Sequence, residues 1–197
     1  MLAADSVLLH QTVSAPLHKP LNEPKRRFEQ LVLPHFDAAY NLARWLTRND
    51  HDAQDVVQEA VLRAYRFFDG LRGEPRPWLL AIVRNTFLTW VQVNRPADTV
   101  EFDDALVEII PTDEDGPEIQ AARNFDRKML NEAIAALPLQ FREALILREL
   151  EDLSYKDIAR ITDVPIGTVM SRLARARRLL AESLGATSNI SGTQVHK

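Results

Sequence analysis

The sequence predicts an all-α protein: two small helical domains joined by an acidic flexible linker, the C-terminal one a helix-turn-helix. Three observations carry that expectation. Apolar residues recur at three- and four-residue steps in one segment after another, the spacing of a buried helix face. Prolines and glycines fall between these segments rather than within them. The formal net charge of -4 also divides unevenly along the chain. Lys25 to Arg95 holds 11 basic and 8 acidic residues, Pro96 to Lys128 holds 3 and 10, and Ser154 to Glu182 holds 6 and 3. Two mildly basic modules thus flank an acidic connector, and what draws a polyanion is the local surface rather than the total. The expected boundaries are a flexible arm over 1–24, a first domain over 25–96, the linker over 97–124, a second domain over 125–184 and a flexible tail over 185–197.

Composition bounds the chemistry. At 197 residues and 46% hydrophobic the chain can bury real cores. No apolar run approaches eighteen residues, and the N-terminal MLAADSVLLH carries an acid but no basic region. Neither a membrane span nor a secretory signal is expected, and a cytoplasmic location follows. The absence of cysteine excludes disulfides and thiolate metal sites, and the five histidines are too far apart for ligand spacing. No metal, cofactor or catalytic residue is expected, because no His, carboxylate and nucleophile cluster converges.

The first domain opens on Phe28, Leu31 and Val32, continues past Pro34 with Phe36, Ala39, Tyr40, Leu42, Ala43 and Leu46, and should be divided by that proline. Asn49 and Asp50 close this helix, and His51 to Ala53 open one running to about Phe68. Ala53, Val56, Val57, Ala60, Ala64 and Phe67 form its buried face. Opposite them lie Asp55, Gln58, Glu59, Leu62 and Arg66, an exposed leucine among polar groups. That face is either solvated with one stray leucine or a docking surface for another protein. The loop Asp69 to Arg76 precedes a helix restarted at Pro77, which is nearly apolar all round. Its inner stripe is expected at Leu79, Ile82, Val83, Thr86, Trp90 and Val93. The other side, with Trp78, Arg84, Asn85, Leu88, Thr89 and Gln92, suits either partner packing or the reading of unstacked bases.

After the linker, helicity returns from about Glu118 or Phe125, pauses at Pro138 and resumes over Phe141 to Leu150, which should pack behind the last two helices. Ser154 and Asp157 can form a capping box for a short helix carrying Ile158, Ala159 and Ile161. Asp163 to Gly167 breaks it, and Pro165 starts the next. This long helix places Ile166, Val169, Leu173, Ala176 and Leu180 inward, and Thr168, Ser171, Arg175 and Arg178 outward, with Arg172 and Arg177 on the flanks. A cationic outer face whose first turn is small fits a DNA major groove, where arginine bridges guanine acceptors or phosphates. An arginine-rich helix can equally be a solvated face; the preceding short helix with its small Ala159, and the length of the connection, favour a helix-turn-helix.

With both domains read, the chain resembles the extracytoplasmic-function (ECF) group of the bacterial sigma-70 family of RNA polymerase sigma factors. DAQDVVQEAVLRAYRFF is similar to that family's second conserved region and LPLQFREALILRELEDLSYKDIARITDVPIGTVMSRLARARRLL to its fourth. The resemblance implies a non-enzymatic factor that binds core RNA polymerase through the clamp helices of its largest subunit and its flap, recognises promoter DNA, and answers to an anti-sigma factor. It assigns polymerase docking to Asp52, Asp55, Gln58, Glu59 and Leu62. It assigns the minus-10 element to Phe68, Arg76, Trp78, Arg84 and Asn85, and the minus-35 element to Thr168, Ser171, Arg172, Arg175 and Arg178. The acidic linker resembles the family's connector, which occupies the RNA exit path. Three positions depart from the family pattern: TWVQVNRP carries only Arg95 where a basic run is frequent, Met170 stands where lysine or arginine is frequent, and Asp163 where glycine is frequent. The alternative from another class is an autonomous helix-turn-helix regulator, which would dimerise and bind a palindrome unaided.

Overall fold

The structure, a computed structural model, describes residues 23–94 and 117–191, with side chains of the second stretch described over 124–185. The expected arm, apart from Glu23 and Pro24, and the expected linker up to residue 116 lie outside the described residues. Among the described residues every regular element is helical.

The first module comprises α1 (Glu23–Leu31), α2 (Phe36–Thr47), α3 (Asp50–Arg66) and α4 (Pro75–Asn94). Pro34 does divide the first segment: it sits in a short 3-10 turn, Leu33–His35, where its missing donor costs nothing. Between α2 and α3 the chain reverses within two residues. Arg48 takes the left-handed conformation (φ 60°) that lets α2 stop, and Asn49 caps α3 by accepting a bond from the Asp52 amide at 2.9 Å. Asp50 therefore opens α3 rather than closing α2. Ala39, Ala43, Ala53, Ala60 and Ala64 are fully buried, and these small side chains let α2, α3 and α4 approach closely around Leu42, Leu46, Val56, Val57, Leu80 and Val83.

Two expectations about faces need correction here. Phe67 was expected inside and Phe68 at the nucleic-acid surface, but Phe67 is 65% exposed and Phe68 only 7%. Helix α3 ends at Arg66 and the chain tightens into a 3-10 turn, Phe68–Gly70, which swings the second ring inward. There Phe68 meets Phe28 edge to face, with centroids 5.3 Å apart, and Phe28 meets Tyr65 in the same way at 5.2 Å, so α1 is anchored by three rings and by Arg27 over Phe68. In α4 the buried set is Pro77, Leu79, Leu80, Val83, Thr86 and Phe87, whereas Ile82 and Trp90 are half-buried and Val93 is exposed.

The second module comprises α5 (Pro117–Ala135), α6 (Leu139–Leu145), α7 (Tyr155–Thr162) and α8 (Ile166–Ser191). Helix α5 thus begins inside the stretch expected as linker, and α8 runs on into the stretch expected as tail. A wide π-helical turn, Ile146–Leu150, continues α6 and closes with the Glu151 amide donating to the Ile146 carbonyl. Ser154 caps α7 as the sequence implies, its hydroxyl accepting from the Asp157 amide at 3.1 Å and donating to the Asp157 carboxylate at 2.6 Å. Asp163 ends α7 in the left-handed region (φ 54°), so the turn that glycine often makes is made here by an aspartate. Helices α6 and α7 pack against α8 around Ile158, Ile161, Val169, Leu173 and Ala176. Ile166, expected on the inner face, is 47% exposed at the first residue of α8, so the buried stripe begins one turn later at Val169.

The two modules do not stand apart. Helix α4 packs on α7, and α2 packs on α6 and the π turn, so one apolar core runs from Phe28 to Ala176. This explains why α4 is apolar on nearly every side: one flank lies on α2 and α3, the other on α7.

Candidate nucleic-acid and partner-docking surfaces

On α3, the inner stripe of Ala53, Val56, Val57, Ala60 and Ala64 leaves the opposite side to solvent. Asp55 and Gln58 are exposed, Leu62 is 48% exposed, and Asp52 and Glu59 are half-exposed. Glu59 accepts a bond from Arg63 Nε at 2.7 Å one turn away. Beside this face the groove between α2 and α3 opens into an apolar cleft of about 570 Å³, lined by Phe36, Tyr40, Gln54, Val57, Gln58, Val61 and Leu62. The exposed leucine is therefore the rim of a cleft, flanked by Asp55, Gln58 and Glu59. Phe36 and Tyr40 were legible only as apolar positions of α2; their part in the cleft comes from how α2 crosses α3.

The residues expected at the minus-10 element do not form one open surface. Phe68 is inside the aromatic cluster described above. Asn85 is exposed and Trp78 half-buried. The two arginines turn toward the second module: Arg84 Nε donates to Glu143 Oε1 on α6 at 2.5 Å, and Arg76 Nη2 donates to Glu151 Oε2 after the π turn at 2.5 Å. Both carboxylates are nearly buried, with side-chain exposures of 6% for Glu143 and 3% for Glu151. Burial pushes the carboxyls of Glu143 and Glu151 above the usual carboxylate range, against the downward pull of Arg84 and, for Glu143, Arg172, and of Arg76 for Glu151. A third link lies nearby. Arg142 donates to the carbonyls of Ala135, Leu137 and, across the boundary, Leu46, and burial lowers its pKa to about 10. Sequence reading missed Glu143, Glu151 and Arg142, each of which looked like one charge in an amphipathic segment.

Helix α8 keeps the orientation its periodicity implies. Val169, Leu173 and Ala176 are buried, while Ser171, Arg175 and Arg178 are exposed and Thr168 and Arg172 half-buried. The Ser171 hydroxyl donates to the Thr168 carbonyl at 2.9 Å, which takes up its proton within the helix. Arg177 reaches Glu149 at 2.6 Å, and Arg178 lies 3.5 Å from Glu182 one turn on. The charge of Arg172 helps to hold the Glu143 carboxyl down, so the inner edge of the cationic face is felt at the acid that holds Arg84. Met170, at 54% exposure, adds an apolar contact to the outer face.

The described residues form an all-helical fold whose second module carries a helix-turn-helix with a cationic outer face, the class of architecture that nucleic-acid-binding proteins use. Residues 31–96 match the family described as Sigma-70 region 2, and residues 127–180 match Sigma-70, region 4. The ECF RNA polymerase sigma-E factor of Haemophilus influenzae is 38% identical over 169 residues, covering 81% of this chain and 88% of that protein. The RNA polymerase sigma-H factor of Pseudomonas aeruginosa is 35% identical over 173 residues, covering 81% and 87%. Among solved structures, the sigma factor RpoE of Bartonella quintana, in complex with the anti-sigma factor NepR, superposes with a TM-score of 0.66 at 27% identity, covering 81% of this chain and 98% of that one. The chain belongs to the ECF group of the bacterial sigma-70 family of RNA polymerase sigma factors.

Proposed function

We propose that this chain directs transcription initiation by joining core RNA polymerase to promoters through three surfaces. The face of α3 with Asp52, Asp55, Gln58, Glu59 and Leu62, together with the cleft behind Leu62, receives the clamp helices of the largest subunit, and the second module meets the flap. Helix α4, with Arg76, Trp78, Arg84 and Asn85, takes the opened minus-10 strand. The outer face of α8, with Thr168, Ser171, Arg172, Arg175 and Arg178, reads the minus-35 element in the major groove. The observation that best supports this reading is the clean division of α8, in which Leu173 is buried while Arg175 two residues later is exposed. The protein adds no catalytic group of its own and works in the cytoplasm, where its polymerase is. A sigma factor solved with its anti-sigma partner is a structural relative, and we infer that an anti-sigma protein controls this chain too.

The test is reconstitution with core polymerase. The free chain should bind duplex promoter DNA weakly and the holoenzyme should bind and open it. Asp55→Ala combined with Gln58→Ala should abolish holoenzyme assembly in a pull-down while leaving the melting temperature unchanged, since neither side chain belongs to the core. Normal assembly by that variant rejects the docking assignment, and tight specific binding by the chain alone rejects the sigma mechanism in favour of an autonomous regulator.

A further inference from the structure

The exposed surface of α8 is not cationic throughout. Arg175, Arg177 and Arg178 lie from its third turn onward, and Arg172 before them is half-buried. The first two turns instead present Ile166, Gly167, Met170 and Ser171, all exposed and all uncharged, and Ala174 continues the strip. Ile166, Met170 and Ala174 follow one another at four-residue steps, so they stack along one line of the helix with Gly167 and Ser171 beside them. Ile166 is 47% exposed and Met170 54%, and neither belongs to the apolar core that ends at Ala176.

Two further observations say what such a strip can meet. Glycine weakens a helix relative to alanine, yet a Cβ at Gly167 would meet nothing within 4 Å. The fold itself does not require glycine at this position, whereas a surface approaching the first turn from outside does. The Ser171 hydroxyl already donates to the Thr168 carbonyl at 2.9 Å, so its proton is not free for a base edge. What the strip offers is therefore apolar contact at close range. On the major-groove edges of the base pairs the apolar group is the thymine 5-methyl, and the residues that reach those edges are the N-terminal ones of a recognition helix. We propose that Met170, backed by Ile166, selects thymine in the upstream promoter element by packing on its 5-methyl group, with Gly167 leaving room for that approach. This rests on the reading of α8 as the helix that meets the minus-35 element, and it adds a specificity determinant to that reading. An unbranched, polarisable thioether with three rotatable bonds can follow the methyl group within the groove.

Deoxyuridine is thymidine without the methyl group, so the contact can be removed from either side. An upstream element is selected from a randomised duplex library by holoenzyme containing the wild-type chain, and each of its thymines is replaced in turn by deoxyuridine. At one of them the replacement should weaken holoenzyme binding about three- to fivefold, the effect of one buried methyl group. Holoenzyme with Met170→Ala should bind the thymine and deoxyuridine promoters equally at that position and keep its discrimination at any other sensitive thymine, and Met170→Leu should restore the difference. Crossing the protein change with the base change isolates the pairwise contact from any general loss of affinity. Because Met170 is more than half exposed, the melting temperature of Met170→Ala should match that of the wild type. A thymine preference that survives intact in Met170→Ala overturns the proposal, as does an element with no methyl-sensitive thymine or a lowered melting temperature, which would place the side chain inside the fold. Holoenzyme that binds equally well after the upstream element is scrambled would instead reject the minus-35 reading of α8, so the two failures are distinguishable.

Discussion

Arg84 and Arg175 are both arginines on the outer sides of long helices, and the sequence places both of them at expected nucleic-acid surfaces. In the folded chain Arg84 is 16% exposed and bonded to a buried glutamate, whereas Arg175 faces solvent. The difference comes from what each helix has left over after folding. Helix α8 uses one face against α6 and α7 and leaves the other bare; α4 is covered on one side by its own module and on the other by α7. One cationic surface is therefore bare in the folded chain, while the arginines of the other are held by carboxylates of the second module.

The largest effect should come from breaking the packed side of α8. Leu173→Ala should destabilise the protein by about 2 to 5 kcal/mol, because the side chain is 1% exposed and its loss leaves a cavity. Since one core runs through both modules, the helices of the first module should melt in the same transition; two separated transitions by calorimetry would show that the closed arrangement is not the one that unfolds. Arg175→Ala should leave melting unchanged but lose about 1 to 3 kcal/mol of promoter binding by holoenzyme if it makes a bidentate base contact, with the loss confined to particular upstream sequences. A uniform loss, with the salt slope reduced by about one, would assign Arg175 to phosphate instead. A melting defect in Arg175→Ala would mean that the two arginines are not different after all.

A smaller effect is expected at the cap. Ser154→Ala removes the acceptor of the Asp157 amide and should cost about 0.5 to 2 kcal/mol, read as a shift in the urea midpoint. The smallest effect concerns pH. Burial raises the pKa values of Glu143 and Glu151 in the folded chain, so folding favours their protonated forms. Their contribution to stability is fully present below the ordinary value of 4.5 and is lost as pH rises through the raised value. His35 works the other way: burial and the nearby Arg76 lower its pKa, so its contribution is present above 6.5 and fades as pH falls through the lowered value. In a chain carrying His35→Gln, the contribution of the two glutamates should appear as a rise in the urea midpoint on acidification toward 4.5, and a midpoint unchanged by Glu143→Gln with Glu151→Gln across that range would contradict their burial.

Much of this was legible in the chain because it is local. The period of α3 separates Ala53, Val56 and Val57 from Asp55 and Gln58, and the period of α8 separates Leu173 from Arg175. The capping of α7 by Ser154 and the left-handed turn at Asp163 lie within one or two turns of the residues that announce them. What was not legible is the contact between modules. Periodicity shows that a face is buried but not what covers it, and α4, covered twice, gave an inner stripe that included exposed Val93 and omitted Leu80 and Phe87. The exchange of Phe67 and Phe68 has a different origin: a helical period was carried one residue past the point where α3 tightens into a 3-10 turn. Glu143 and Glu151 pair across 59 and 75 residues, beyond any local pattern.

The π turn at Ile146–Leu150 lets this segment absorb a change in chain length. A π turn accommodates one more residue than the α-helix it interrupts, and each residue of an α-helix turns the chain by about 100°. Deleting a single residue between Ile146 and Leu150 would therefore let α6 run on regularly while the residues after it keep nearly the same direction, Glu151 still toward Arg76. A deletion of one residue placed outside the turn, in α7, has no such buffer and would rotate everything that follows it by about 100°. In this chain the same one-residue change is thus absorbed at one place and propagated at another.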